Sequence, residues 1–190
     1  MSKGAVAADR VALFMQLAGH RKEVPAEEAP EELRILGAHL LLSEVLEFVI
    51  KGLGVTPCVG ETPITDPEQV SYRNHGRVDP TMMLDGLADV GYTMWWNALA
   101  FGMPLAEAFK LVCENNLEKF VKLGDWAAEF KELPIELWHC QQGISWPTEV
   151  VKVVVVHVDG AYYAVGRDDR GKVRKPSSYR SVELQHLLQS

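Results

Sequence analysis

Cysteine is scarce in this chain of 190 residues, and its three cysteines lie far apart. Cys58, Cys113 and Cys140 form no CxxC pair and no Cys/His cluster, so nothing in their spacing indicates structural zinc. We expect them to be reduced and structural. The six histidines are equally scattered, and none falls in an HExxH or ExxH spacing. This absence argues against zinc hydrolases and di-iron helical bundles.

Positive charge is also in short supply. The chain has 19 Lys and Arg residues against 26 Asp and Glu residues, which gives a formal net charge of −7. Because nucleic-acid backbones are bound by basic surfaces, this balance argues against a nucleic-acid polymer as partner. A small anion that arrives with its own metal ion remains compatible with the charge.

Long apolar runs are missing as well. No run approaches the length of a membrane-spanning helix, and the first residues, MSKGAVAADRVALFMQ, lack the features of a secretory signal. We therefore expect a soluble, cytoplasmic protein with no membrane partner. The length, with 47% hydrophobic and 24% charged residues, fits one globular domain with a small appendage.

Against these absences, four acidic residues stand in two otherwise apolar segments. Glu44 and Glu47 lie in LLLSEVLEFVI, and Asp85 and Asp89 lie in MMLDGLADVGYTMWW. Helical spacings of i,i+3 and i,i+4 place each pair on one helix face. Since few Lys or Arg residues are near, and a buried carboxylate without a counter-charge is costly, we expect a hard cation, Mg²⁺ or Mn²⁺. Taken alone, either pair is equally well explained as a solvated face or as partners of Lys and Arg.

Hydrophobic periodicity predicts four helices, at residues 5–20, 31 to 52 or 54, 80–101 and 105–121. Residues 55–79 read as a long loop with a short helical turn at its centre. The segment EVVKVVVVHVDGAYYAVGRDD predicts a β-hairpin that turns at Asp159-Gly160, and a basic tail, GKVRKPSSY, follows it.

The third predicted helix is apolar on nearly all sides. We expect Trp95 and Trp96 to lie in the core. In so short a chain, a helix of this kind indicates that a second subunit covers part of its surface, which predicts a homodimer or homotetramer. A monomeric four-helix bundle is the alternative.

Several segments resemble one enzyme family. FMQLAGH and ELRILGAHLLLSEVLEF are similar to its first two helices, LDGLADVGYT and ALAFGMPL to its second acidic helix, and ENNLEKF to its Asn-x-x-Lys segment. That family is the all-α nucleoside triphosphate pyrophosphohydrolases, which include MazG-like and phosphoribosyl-ATP pyrophosphohydrolase-like proteins. GKVRKPSSY resembles a tail segment of its Cof-like subgroup, so the resemblance covers most of the chain.

The resemblance implies a fold and a domain plan. The expected fold is an all-α, MazG-like helical bundle completed by oligomerisation, with a C-terminal β-hairpin and a basic tail. Residues 1–125 would form the helical catalytic domain, and residues 126–190 an extension whose hairpin precedes a substrate-covering tail.

The resemblance also implies an activity, the metal-dependent cleavage of a nucleoside or deoxynucleoside triphosphate to its monophosphate and pyrophosphate. It assigns Glu44 and Glu47 to catalysis and, together with Asp85 and Asp89, to Mg²⁺ or Mn²⁺. The residues it places at the substrate are Asn116, Lys119, Lys172, Lys175 and Tyr179. Because a phage branch of the MazZ type removes guanine nucleotides, we favour a purine such as (d)GTP, and a host-cytoplasm location if the chain is phage-encoded.

The chain departs from the family pattern at three places. The second acidic motif is Asp85-x-x-x-Asp89, with Gly86 where many relatives carry a glutamate, and Ser43 replaces a third glutamate of the first motif. These changes leave the number of metal ions open. The β-hairpin resembles an insertion into the family pattern, and the sequence does not decide its role. The alternatives are a non-catalytic nucleotide- or metal-binding helical assembly module and a nucleotide sensor that hydrolyses poorly.

Overall fold

The structure, a computed structural model, describes residues 3–20, 22–139 and 143–188, with side chains from residue 8 onward. Within these residues it contains four α-helices, two small antiparallel sheets and several short helical turns. The helices are α1 (Lys3–Leu17), α2 (Glu31–Glu47), α3 (Pro80–Ala100) and α4 (Leu105–Leu117). The strands are β1 (Cys58–Val59), β2 (Thr62–Pro63), β3 (Val121–Leu123), β4 (Lys152–Val158) and β5 (Ala161–Arg167).

The expected all-α class is wrong, because the described residues form a mixed α/β structure. The predicted hairpin is confirmed: β4 pairs with β5, and Asp159 and Gly160 both have positive φ, as a type I′ turn requires. However, the hairpin does not stand alone. β3, which lies in a stretch predicted to be the end of a helix, pairs with β5 through Val121↔Ala164 and Leu123↔Tyr162 and completes a three-stranded sheet.

The chain divides into two compact units. Unit 1 comprises Met1–Glu23 and Val90–Ser190, and unit 2 comprises Val24–Asp89. The division of residues 1–125 from 126–190, as a catalytic domain and a substrate-covering extension, stays a prediction.

The three-stranded sheet carries the core of unit 1 on both of its faces. Because successive strand residues point to opposite sides, Ala164 and Val165 of β5 belong to two different clusters. One cluster comprises Val121, Leu123, Ala127, Leu133, Ile144, Val150, Val153 and Ala164. The other comprises Leu17, Ala18, Phe120, Val158 and Val165, so it joins the ends of α1 and α4 to the sheet. A strand buried on both sides explains the unbroken apolar run of β4.

Unit 2 is built around α2, whose last turn continues as a π-helical turn, Phe48–Gly52. The predicted end at Gly52 or Gly54 is confirmed, since the π-helical turn ends at Gly52 and Gly54 has φ +67°. The predicted turn inside the long loop is also present, as a 3-10 turn at Pro67–Gln69 that Asp66 caps. α3 begins at Pro80, where Asp79 Oδ1 accepts hydrogen bonds from the amides of Thr81 and Met82 at 3.0 and 3.1 Å.

Two of the three cysteines fall among the described residues, and both are free thiols. Cys58 is exposed and Cys113 is buried, while Cys140 lies outside the described residues. Burial raises the pKa of the Cys113 thiol, and the neighbouring Glu114 carboxylate adds to this rise while Arg10 opposes it. A thiol held in its protonated form is a poor nucleophile, which fits a packing role for Cys113.

No helix in the described part of the chain is long and apolar enough to cross a membrane.

Candidate functional site

Glu44 and Glu47 lie on one exposed face of α2. With about 100° between successive helix residues, they fall within a stripe that also holds Leu36, Leu40 and Phe48. All five side chains are exposed in the single chain. The two carboxylates therefore sit within an apolar surface that is exposed in the described part of the chain.

Asp85 and Asp89 lie on an equivalent face of α3. Their stripe continues through Tyr92, Trp96 and Leu99 along the same helix, and all of these residues are exposed. Tyr92 is 70% exposed and Leu99 81%, which is unusual for large apolar side chains in a folded protein. Each acid pair thus interrupts an otherwise apolar, exposed helix face.

Two expectations about these helices are wrong for the single chain. The carboxylates are exposed instead of buried, and Glu47 has a counter-charge, since Lys51 Nζ lies 3.0 Å from its Oε1. Trp95 and Trp96 are 48% and 56% exposed and do not lie in the core. The periodicity identified apolar faces correctly, but an apolar face is buried only where another element packs on it.

The four acids do not form a complete cage within the described part of the chain, where no three His, Cys, Asp or Glu side chains gather into a metal-binding group. The donor set nevertheless suits Mg²⁺ or Mn²⁺. Mg²⁺ keeps several waters and is usually bound through one or two carboxylates together with substrate phosphates. An exposed pair of carboxylates on one helix face is such a partial site.

Asn116 and Lys119 lie at the end of α4 in unit 1 and contact each other. Lys119 Nζ donates a 2.6 Å hydrogen bond to Asn116 Oδ1 and lies 5.4 Å from the centroid of the Phe14 ring. This geometry fixes the ammonium group at the helix end. A phosphate there would have to displace the amide oxygen or share the ammonium with it.

Tyr179 and Lys175 lie together in the C-terminal tail of unit 1. Lys175 Nζ stands 4.5 Å from the centroid of the Tyr179 ring, a cation–π contact. The Tyr179 hydroxyl donates a 2.5 Å hydrogen bond to Asn115 Oδ1, and Asn115 Nδ2 donates a 2.6 Å hydrogen bond to the Arg180 carbonyl. Buried Asn115 therefore ties the tail to α4.

Sequence reasoning missed Asn115, because the resemblance directed attention to its neighbour Asn116. The available signal was the helical position of the Asn115-Asn116 pair, which sends the two amides in different directions. Asn115 faces the tail and Asn116 faces Lys119.

Lys172 lines a separate, open cavity of about 550 Å³ in unit 1. Its backbone N–H and that of Arg170 donate hydrogen bonds to Oδ1 of Asp168, which is only 5% exposed. Arg174 Nε lies 3.1 Å from the other carboxylate oxygen. The cavity carries both acidic and basic side chains, so it has no net preference for an anion.

Comparison with known proteins gives no matching family model, no matching curated protein and no matching solved structure.

Proposed function

We propose that the protein is a metal-dependent nucleoside triphosphate pyrophosphohydrolase, in which Glu44, Glu47, Asp85 and Asp89 hold Mg²⁺ or Mn²⁺. The observation that supports this most directly is the occurrence of two acid pairs at helical spacing within exposed apolar faces. Carboxylates are uncommon on an apolar surface that another protein surface could cover. When such a surface is covered, the acids need a cation, and a cation in turn draws in phosphate.

The reaction is hydrolysis of the α–β phosphoanhydride bond. A water oxygen bonds to one of the two phosphorus atoms that flank the bridging oxygen, the bridging P–O bond breaks, and the products are the monophosphate and pyrophosphate. Glu44 or Glu47 takes a proton from the water and passes it to solvent. When bound, Mg²⁺ or Mn²⁺ would neutralise the triphosphate and lower the pKa of a bound water.

Asn116, Lys119, Lys172, Lys175 and Tyr179 are proposed to bind the nucleotide. Lys119 and Lys175 each lie against an aromatic ring, and their positive charge favours a phosphate chain, while the Tyr179 ring offers a surface for stacking. The favoured nucleotide is a purine, (d)GTP above the others, in line with the resemblance.

A second copy of the chain is proposed to cover the acidic, apolar faces of α2 and α3. Exposed apolar patches of this extent are uncommon on monomers and mark interaction surfaces. Coverage would exclude water from the carboxylates and strengthen their hold on a divalent cation. The active protein is therefore a homodimer or homotetramer.

The test is a product assay with each common NTP and dNTP in Mg²⁺ or Mn²⁺, following pyrophosphate and orthophosphate separately. We expect pyrophosphate and the matching monophosphate from one or two nucleotides, and no turnover in EDTA. Glu47→Gln keeps the size of the side chain and removes its charge, so turnover should fall at least ~100-fold, the scale lost with a general base.

The matched control is Glu61→Gln, which removes an exposed glutamate in the β1–β2 turn and should leave turnover unchanged. Circular dichroism and the melting temperature of both variants should match the wild type. If Glu47→Gln retains wild-type turnover, the carboxylate has no catalytic role and the proposal fails. Orthophosphate without pyrophosphate would move the cleavage to the γ position.

One observation favours a second candidate, a non-catalytic nucleotide- or metal-binding assembly module. Lys51 Nζ lies 3.0 Å from Glu47 Oε1, so the α2 face suits an interface held by ion pairs and apolar contacts. In that case Glu47→Gln would change the oligomeric state, and no nucleotide would be hydrolysed.

A further inference from the structure

A concave pocket of about 470 Å³ lies entirely within unit 2. None of the residues proposed above to bind metal or nucleotide lines it. One wall is the face of α2 that carries Arg34, and the other is the chain segment 70–77. We call it the basic pocket. Arg34 Nη1 donates a 3.1 Å hydrogen bond to the Gly76 carbonyl, which fastens the segment to the helix. The pocket is thus built by packing and hydrogen bonding between residues about forty positions apart.

The lining of the basic pocket is cationic. Arg34, Arg73, Arg77 and His75 line it, and no acidic side chain does. None of the three arginines takes part in an ion pair within the described residues. The chain as a whole has a net charge of −7, but three arginines gather in this pocket without a carboxylate. The pocket therefore attracts anions.

The basic pocket also holds polar atoms that lack partners. Arg34 Nε and Tyr72 Oη are buried, and neither has a hydrogen-bond partner. An unmet buried polar group costs about 1–3 kcal/mol, so native structures rarely keep one without a reason. The Tyr72 ring contacts the His39 ring edge to face, with centroids 5.6 Å apart, which holds Tyr72 against α2. Both atoms are hydrogen-bond donors on residues that line the pocket, so this wall carries donors without acceptors.

The basic pocket and the glutamates use different faces of α2. Arg34, Ala38 and Leu42 of the pocket are centred about 150° around the helix from the midpoint of Glu44 and Glu47, at about 100° per residue. Arg34 is also ten residues before Glu44, which is about 15 Å along the axis. One phosphate group therefore cannot contact both Arg34 and the glutamates of the same chain.

The size of the basic pocket decides between a small ligand and a polymer. A cavity of about 470 Å³ falls within the range of small-molecule sites. A nucleic-acid polymer would require an extended basic surface, which the overall charge opposes. Guanidinium groups bind both carboxylate and phosphate oxygens in pairs, and the higher negative charge of phosphate matches three arginines better than the single charge of a carboxylate.

We propose that the basic pocket is a second anion site, which binds a small phosphate-bearing molecule through Arg34, Arg73 and Arg77 without a metal ion. The phosphate comes either from an inorganic anion such as pyrophosphate or from the tail of a nucleotide. This site goes beyond the proposed function and does not depend on it.

The experiment is calorimetric titration of the full chain with inorganic pyrophosphate in EDTA, at fixed ionic strength. EDTA prevents binding through metal at the carboxylates, so a failed hydrolase proposal does not affect the outcome. We expect saturable binding that Glu47→Gln leaves unchanged. Arg73→Gln and Arg77→Gln should each weaken it at least ~10-fold, the effect of losing one charged hydrogen bond. Both residues are exposed, so these variants should fold.

The matched control is Lys110→Gln, which removes one exposed positive charge from α4 and should leave the affinity unchanged. Deoxyguanosine should not bind. A dGTP affinity above that of pyrophosphate, with the excess lost in the Arg73→Gln, Arg77→Gln double variant, would identify a nucleotide tail as the source. Equal affinities would identify the phosphate group alone. Wild-type affinity in the Arg73→Gln, Arg77→Gln double variant, or no saturation by pyrophosphate beyond that by sulfate, would overturn the proposal.

Discussion

Gly166 on β5 shows how a single residue type allows two elements to pack. The Trp146 indole lies directly over it, and a Cβ built at Gly166 would stand 2.3 Å from Trp146 Cε3. Real carbon atoms do not approach so closely, so a side chain here forces the ring or the strand to move. The Trp146 Nε1 donates a 3.1 Å hydrogen bond to the Trp138 carbonyl, which limits how far the ring can shift.

We therefore expect Gly166→Ala to lower the free energy of unfolding by about 1–3 kcal/mol, the usual cost of overpacking a core. Urea unfolding followed by tryptophan fluorescence measures this. Gly37→Ala is the control, because Gly37 lies in α2 with no heavy atom near its Cβ position. It should stabilise the protein slightly, since alanine favours a helix. Equal stability of Gly166→Ala and the wild type would show that the ring does not rest on Gly166.

The acidic residues show which properties of a side chain can be predicted from the sequence and which cannot. Their type and spacing were readable from the chain, and the helices that carry them are confirmed. Their exposure was not readable, because it depends on what packs against α2 and α3. Lys51, four residues after Glu47, was the visible signal that a counter-charge could reach the carboxylate.

At the scale of elements, the C-terminal end of α1 is tied to the end of strand β5. Gly19 has φ +64°, and the amides of Gly19 and His20 bond to the carbonyls of Gln16 and Met15, which is a Schellman motif. Arg167, at the end of β5, donates a 2.8 Å hydrogen bond from Nη2 to the Ala18 carbonyl. A positive charge at the end of the helix also complements its dipole.

Arg167→Met should lower the free energy of unfolding by about 1–3 kcal/mol, since a charged hydrogen bond is lost. Hydrogen exchange at the Ala18 amide should quicken with it. The pKa of His20 is lowered by burial and then by the positive charge of Arg167, so the variant should raise that pKa towards its ordinary value. NMR titration of His20 measures this second effect.

The control for this change is Arg170→Met, which removes an exposed guanidinium three residues away. It should leave both the stability and the His20 titration unaltered. An unchanged exchange rate at Ala18 in Arg167→Met would mean that the arginine does not cap α1.

The hairpin and the sheet differ in how far they were predictable. Asp159-Gly160 between two β-branched runs is a local signal, and the turn forms as expected. β3 is only three residues long and pairs with a strand about forty residues later. No local sequence pattern predicts such a pairing, because its stability comes from the two apolar clusters on either side of the sheet.

At the scale of the molecule, α3 and α2 expose more apolar surface than a monomer usually keeps. Leu84, Tyr92 and Leu99 are each at least 70% exposed. We expect light scattering to give a mass of at least twice the 21.2 kDa of one chain at micromolar concentration.

Leu99→Glu should shift the protein to the mass of a single chain, because it places a charge on an apolar interface and removes about 1.5–3 kcal/mol of burial per copy. Val59→Glu is the control, since Val59 is 71% exposed in strand β1 and belongs to neither helix. A wild-type mass of one chain, or an oligomer that survives Leu99→Glu, would contradict the assembly.

The sequence by itself determined the four helices, the short helical turn in the long loop, the turn at Gly160 and the helical spacing of the acid pairs. These depend on φ preferences, capping and periodicity within a few residues. Only the tertiary structure decided the mixed α/β class, the exposure of the carboxylates and the basic pocket. The sheet and the basic pocket bring together residues about forty positions apart, such as Arg34 and Gly76, and packing selects such contacts where local propensity does not. The carboxylates are exposed because no described element packs on their helix faces.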